Sequence, residues 1–207
     1  MADPVGVMAA GEIPQPPVSP APASKYKGIA ILGSHPETKM QAPFDDPSWL
    51  IYACSPHNSP YGGLGASALP RVNQRFELHI PLSHPSRPYG YLRWLADQPE
   101  PLWLRDQEAL RWFPGARLYP EAELKKRFGW PAFTSTIAYI AAKAIVDCEE
   151  LGIPAIALFG ILQATRTEYE LHKTGTQQMI YEADKAGITV LVPPQAKHLI
   201  EPPPENW

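Results

Sequence analysis

The sequence predicts a three-layer α/β sandwich with a mostly parallel sheet, and two observations carry this prediction. Short apolar runs that end in glycine or proline, such as residues 27–33 and 155–159, are typical of strands buried on both faces. Between residues 137 and 192 a helix, a strand, a helix and a strand follow one another. This alternation indicates parallel strands joined by right-handed crossovers.

In the first half of the chain, the pattern predicts five strands and two helices. The strands are residues 27–33, 49–54, 75–80, 101–104 and 116–119, and the helices are residues 89–97 and 120–128. The third strand alternates polar and apolar residues, as a half-buried strand does. The second helix begins with Pro120 and two acidic residues, which favour the first turn of a helix.

The second half of the chain predicts a clear β-α-β arrangement of Rossmann type. A helix over residues 137–151 follows the hydroxyl residues at 134–136 and ends at Gly152, and a strand over residues 155–159 comes next. A further helix over residues 176–186 ends at Gly187 and precedes the last strand, residues 188–192. We therefore expect a Rossmann-like domain over residues 25–200.

Proline is unusually frequent, with 26 prolines in 207 residues. Six of them fall within residues 1–24, a segment without any aromatic residue. Such a segment favours extended polyproline II and cannot bury a core of its own. We expect residues 1–24 to form a proline-rich N-terminal arm or a disordered leader, and residues 201–207 to form a proline-rich tail.

The composition excludes several classes of protein. Apolar residues make up 44% of the chain and charged residues 19%, which is enough for a packed core. The net charge of −3 argues against general nucleic-acid binding, and no apolar run is long enough to span a membrane. The N-terminus lacks the features of a signal peptide, and Cys54 and Cys148 are expected to be free thiols. We expect a cytoplasmic protein.

Candidate ligand-binding residues follow from the rule that ligands bind beyond the carboxyl ends of parallel strands. Ser34 and His35 can offer donors to an anion after the tight turn at Gly33. Ser55 follows the second strand, and the loop after Gly160, which runs through Gln163, Arg166, Glu168 and His172, follows the strand over residues 155–159. Thr134, Ser135 and Thr136 place hydroxyl groups beside free backbone N–H groups at a helix start, where phosphate binds readily. The alternatives are a plain glycine turn and simple helix capping.

A polar face on the third strand supplies candidate catalytic residues. Asn73, Arg75, Glu77 and His79 would share one face of a strand, since side chains alternate. We interpret this face as the wall of a ligand pocket in which Glu77 and His79 act as an acid/base pair or bind a sugar or base. The alternative is an edge strand with a solvated face.

Known cofactor motifs are missing from the sequence. The six histidines lack zinc-ligand spacing, and no dinucleotide fingerprint or phosphate-cradling loop is found in a suitable context. We therefore predict no metal site and leave the cofactor unknown.

About 160 residues of the chain resemble a group of phage-encoded Rossmann-like proteins of mostly unknown function. The motifs that carry the resemblance are residues 33–36, 73–79, 133–136 and 155–188. More distantly, the helix–strand–glycine unit is similar to pterin pyrophosphokinase-like proteins and to bacterial sialyltransferases. Those relatives bind phosphorylated nucleotides or nucleotide-sugars. The resemblance implies a nucleotide pocket lined by Gly33, Ser34, Asn73, Thr134, Ser135 and Gly160.

Two functions remain open from the sequence. The first is a nucleotide or nucleotide-sugar binding protein, as a glycosyl- or nucleotidyl-type transferase in the host cytoplasm, whose partner is a phosphorylated small molecule. The second is a non-enzymatic, virion-associated protein that uses the fold as a scaffold and binds neighbouring subunits through its arm. The apolar Ile161 and Leu162 favour the second, because the resembling families often place an acid there.

Overall fold

The computed structural model describes residues 24–54, 69–82, 90–163 and 168–200, and the side chains of residues 168–170 are outside this description. Its centre is a seven-stranded sheet with the order β5-β4-β3-β2-β1-β6-β7. Every pair of neighbouring strands is parallel. The predicted α/β fold is confirmed, and the sheet of the described residues is entirely rather than mostly parallel.

The strands and helices of the described residues follow in chain order. They are β1 (Gly28–Leu32), α1 (Pro36–Lys39), β2 (Trp49–Cys54), β3 (Gln74–Glu77), α2 (Tyr91–Ala96), β4 (Leu102–Leu104), β5 (Arg117–Leu118), α3 (Glu121–Phe128), α4 (Thr136–Leu151), β6 (Ala155–Phe159), α5 (Glu168–Lys185) and β7 (Thr189–Leu191). Three short 3₁₀ helices, Glu108–Trp112, Trp130–Ala132 and Pro194–Leu199, complete the description.

Helices cover the sheet on both faces, which produces three layers. On one face, α3, α4 and α5 pack onto residues such as Ile31 and Phe76 in the largest apolar cluster. On the other face, α2 covers Leu104, and the segment after α1 covers Leu32. None of the described helices is both long and apolar enough to cross a membrane.

Several elements differ from the sequence prediction. The strand predicted over residues 75–80 is β3, which ends at Glu77, so His79 lies beyond it. The short helix α1 was not predicted, although Pro36 suits a first helical position.

The helix predicted to begin at residue 176 is α5, which begins at Glu168. Its early turns escaped prediction because Gly175 lies inside them, and glycine disfavours helix interiors. A Cβ at Gly175 would collide with the backbone at Ala132, so the glycine allows α5 to pack closely there.

The loops after β1 and β6 are bonded to each other at the centre of the sheet. The Gly33 N–H donates to the Phe159 carbonyl, and the His35 N–H donates to the Gly160 carbonyl, each at 2.8 Å. The fully buried Thr38 accepts a third bond, from the Gly160 N–H, at 2.8 Å. These bonds close the crevice between β1 and β6, where the direction of chain connection reverses and where Rossmann-like folds commonly bind ligands.

Two glycines make this close approach possible. A Cβ at Gly33 would collide with the Gly160 carbonyl oxygen and lie 2.8 Å from Ile161 Cγ1. A Cβ at Gly160, where φ is +66°, would lie 2.9 Å from the Gly33 carbonyl oxygen. Glycine at both positions is therefore required by the contact between the two loops.

We predict that Gly33→Ala destabilises the protein by about 1–3 kcal/mol, because the added methyl group must push the two loops apart. Gly115→Ala is the matched control, since a Cβ there meets nothing within 4 Å. Thermal and denaturant unfolding of the two variants measure the difference. Equal stability of Gly33→Ala and Gly115→Ala would contradict the closed junction.

Candidate functional site

Two charged side chains, Arg75 and Glu77, lie buried on β3. We call these two residues and the side chains that contact them the β3 layer. The two charged residues share the face of the sheet that carries α1 and α2, because Arg75 is in register with Ala53 and Leu102, and Glu77 with Leu104. Both are nearly inaccessible to solvent. Buried charges are costly unless they are paired, so their partners define the chemistry of this region.

Glu77 is held by groups from two segments. Its Oε1 accepts the His79 backbone N–H at 2.9 Å and lies 2.6 Å from His79 Nδ1. Its Oε2 accepts the hydroxyl of Tyr91, which is buried on α2. An ionised carboxylate can only accept hydrogen bonds, so His79 Nδ1 carries the proton between them. The carboxylate thereby fixes the orientation of the ring.

The pKa of Glu77 is lowered although the side chain is buried. Burial alone would raise this pKa, but the hydrogen bonds and charge of His79 and the hydroxyl of Tyr91 outweigh it. Glu77 is therefore an ionised carboxylate at neutral pH. The side chain of His79 is 29% exposed against 1% for Glu77, so a ligand can reach His79 but not the carboxylate behind it.

Arg75 is only partly paired. Its Nε donates to the carboxylate of Glu100, and its guanidinium lies 5.1 Å from the ring centroid of Trp94. Its Nη1 is buried and has no hydrogen-bond partner among the described residues. Buried donors normally have partners, so this nitrogen is an exception within the described part of the chain.

Lys39 on α1 and Cys54 at the end of β2 lie near Arg75, although Cys54 is in register with Phe76 and packs against the cluster on the opposite face. Burial raises the pKa of Cys54 to about 11, while Lys39 and Arg75 act to lower it. The thiol is therefore protonated at neutral pH and is a poor nucleophile. The pKa of Lys39 is lowered by burial and by the nearby Arg75, while Cys54 acts to raise it.

The predicted residues after β1 and β6 contribute mainly to the fold. The N–H groups of Gly33, His35 and Gly160 are engaged in the closed junction described above. His35 also caps α1, accepting the Glu37 N–H at its Nδ1 at 3.4 Å. Ser34 is exposed. Ligand binding by Gly33, Ser34, His35 and Gly160 remains a prediction.

Asn73 lies just before β3, and its side chain joins two neighbouring segments. Its Oδ1 accepts the Ile51 N–H at 2.8 Å and Arg71 Nη1 at 3.0 Å. Both donors are groups of the protein, and the bond from Ile51 on β2 supports the pairing of β2 with β3. Asn73 was predicted to share the polar face with Glu77, and ligand binding by Asn73 remains a prediction.

The start of α4 lies on the opposite face of the sheet from Arg75 and Glu77, because α4 packs onto the cluster that contains Phe76. Ser135 caps the helix by accepting the Ala138 N–H at 3.1 Å. Thr134 accepts the Gly175 N–H at 3.2 Å, and Thr136 is the first residue of α4. Ser55 and the side chain of Glu168 lie outside the described residues. Ligand binding by these residues remains a prediction.

A second charged cluster lies near the start of α4, where two cations share one carboxylate. Arg105 donates two bonds to Glu121, at 2.6 and 2.9 Å, and Lys125 pairs with the same carboxylate. Burial acts to raise the pKa of Glu121, but these two cations lower it to about 2. Lys125 also lies 3.3 Å from the ring centroid of Trp130. Because each of its charged groups has a charged partner, this cluster is a weaker candidate site than the region around Glu77 and His79.

The structure thus brings Arg75, Glu77 and His79 together with two residues that the sequence analysis did not select, Lys39 and Tyr91. Tyr91 lies within the predicted helix 89–97, but nothing local indicates that its hydroxyl would meet Glu77. Lys39 lies in α1, a short helix that the sequence analysis did not predict. A polar face on an otherwise buried strand was the one available signal for this site.

Comparisons with protein-family models, with curated proteins and with solved structures found no match to this chain. The resemblance to phage-encoded Rossmann-like proteins therefore remains a prediction. The functional argument depends on the geometry of the β3 layer.

We predict that Tyr91→Phe lowers the stability by about 1.5–3 kcal/mol at pH 7, because it removes a hydrogen bond to a charged group. A carboxyl whose pKa is lowered by folding contributes stability above its unfolded pKa, which is lost as the pH falls through the folded value. The loss of stability caused by Tyr91→Phe should therefore become smaller below about pH 4.5, the ordinary pKa of glutamate. Melting temperatures measured from pH 7 to pH 3 test this.

Tyr181→Phe is the control for this experiment, because Tyr181 is half exposed on α5. It should change the melting temperature little at any pH. If the loss of melting temperature in Tyr91→Phe is the same from pH 7 to pH 3, the hydroxyl contributes through packing rather than through the charge of Glu77.

Proposed function

We propose that this protein binds a phosphorylated small molecule of nucleotide or nucleotide-sugar type beside the carboxyl end of β3, and that it acts as a transferase with His79 as the acid/base group. The observation that carries the proposal is the contact of 2.6 Å between His79 Nδ1 and the buried carboxylate of Glu77. A carboxylate that orients a partly exposed imidazole is a common arrangement for proton transfer.

The geometry supports different roles for the two residues. Glu77 is too deeply buried to touch a ligand, so we assign it as a positioning residue that holds the ring and its tautomer. His79 is the group that a ligand can touch. With a proton on Nδ1, the imidazole exchanges its second proton at Nε2, where it can deprotonate an acceptor hydroxyl or protonate a leaving group.

The phosphorylated class of ligand is supported by charge. The layer next to His79 holds the buried guanidinium of Arg75, one nitrogen of which has no acceptor among the described residues. Because Arg75 is 2% exposed, its charge favours an anionic ligand through the positive potential that it adds beside His79 rather than by direct contact. The closed junction between β1 and β6 favours a ligand position nearer β2 and β3.

The proposal is tested with a panel of nucleoside diphosphates and nucleotide-sugars, using calorimetry for binding and release of the free sugar for turnover. We expect at least one compound of the panel to bind and to be hydrolysed slowly. His79→Gln should lower this turnover by about 10²–10⁴-fold while binding changes little. Glu77→Gln should also lower turnover and should displace the pH profile, since it changes the environment of the imidazole.

His198→Gln, on the 3₁₀ helix Pro194–Leu199 across the sheet, is the control and should leave turnover unchanged. Normal turnover in a folded His79→Gln protein would exclude the acid/base role. A wild-type protein that binds no member of the panel would contradict the proposed function and would favour the non-enzymatic alternative.

A further inference from the structure

The segment over residues 78–82, directly after β3, carries His79 at the surface while both of its ends are buried. Leu78 packs into the main core, and Leu82 packs on the opposite face of the sheet, in the cluster beside α2. Between these two leucines, the side chain of His79 is 29% exposed and Ile80 is 56% exposed. The position of the imidazole therefore depends on how the two ends of the segment are held.

Two consecutive residues after β4, Arg105 and Asp106, bond to the two ends of this segment. The Arg105 N–H donates to the Glu77 carbonyl at 3.3 Å, just before the segment begins. The Leu82 N–H donates to Asp106 Oδ2 at 2.9 Å, where the segment ends. One backbone bond and one side-chain bond from neighbouring positions of the chain thus fix the segment at both ends.

The Asp106 carboxylate is itself fixed, because its other oxygen caps a helix. Asp106 Oδ1 accepts the Glu108 N–H at 3.0 Å and the Ala109 N–H at 3.3 Å, at the start of the 3₁₀ helix Glu108–Trp112. Ala109 is fully buried. Hydrogen bonds to an ionised acceptor are stronger than neutral ones, so the carboxylate holds the end of the segment firmly against the 3₁₀ helix.

We propose that Asp106 is a positioning residue for His79, which keeps the imidazole against Glu77 by holding the far end of the segment at Leu82. The bonds of the Asp106 carboxylate among the described residues go to backbone N–H groups, so it acts through the segment rather than on the ring. This role rests on the proposed function, because it names a further residue on which the acid/base step of His79 depends.

Asp106→Asn separates this role from helix capping. The amide keeps one acceptor oxygen for the two N–H groups of the 3₁₀ helix, and asparagine caps helices about as well as aspartate. Its NH₂ group would then face the Leu82 N–H, and two donors form no bond. We expect turnover to fall by about 10- to 100-fold while ligand binding changes little, since catalysis is sensitive to a displacement of about 1 Å.

Asp46→Asn is the matched control, because Asp46 also accepts the backbone N–H of the residue two positions later. That residue is Ser48, at 2.9 Å, and the turn lies at the amino end of β2, away from His79. The variant carries the same change of charge, and it should leave turnover unchanged.

The tautomer of His79 supplies a readout that a purely structural role of Asp106 would not change. Long-range proton–nitrogen NMR of the imidazole should place the proton on Nδ1 in wild type and in Asp46→Asn. Folded Asp106→Asn should show a mixture of the two tautomers. A wild-type tautomer or wild-type turnover in Asp106→Asn would overturn the inference.

Amide hydrogen exchange in the wild-type protein tests the inference without any variant. The bond to Asp106 predicts slow exchange of the Leu82 N–H. Exchange at the rate of an unprotected amide would overturn the inference.

Two outcomes separate this inference from the proposed function. If no compound of the panel is turned over but the tautomer of His79 depends on Asp106, the proposed function fails and the positioning by Asp106 stands. If turnover depends on His79 but not on Asp106, the proposed function stands and the inference fails.

Discussion

The arrangement of this protein depends on how two charges are accommodated in a strand buried on both faces. β3 presents Phe76 to the main core and presents Arg75 and Glu77 to the opposite face. A buried charge without a partner is strongly destabilising, so each must find its partners within the layer. Glu77 finds them in His79 and Tyr91, whereas Arg75 finds Glu100 for only part of its guanidinium. The incomplete pairing distinguishes this strand from a purely structural one.

The same constraint explains where the apolar core is interrupted. On the face of α1 and α2, one apolar cluster surrounds Leu104 and another surrounds Leu32, and the charged layer of β3 lies between them. On the other face a single cluster runs from β7 to β4. The interrupted face is therefore the one on which the fold accepts polar groups.

Much of the fold could be predicted from the sequence because the signals are local. Buried parallel strands are short apolar runs, and α4 carries a serine cap at Ser135 and a glycine stop at Gly152. The early turns of α5 were missed because Gly175 serves a packing contact that local propensity does not reveal. Of the candidate site, the alternation of β3 identified Arg75, Glu77 and His79. Tyr91 and Lys39 could not be found in this way, since long-range packing of short helices brings them to the layer.

The central claim is that a phosphorylated ligand binds at the β3 layer rather than at the junction of β1 and β6. A crystal structure of the protein with a bound nucleoside diphosphate tests this most directly. The account predicts that the ligand lies beside the carboxyl end of β3, with a reacting oxygen within hydrogen-bond distance of His79 Nε2. Diphosphate bound instead to the backbone after Gly33 or at the start of α4 would contradict it.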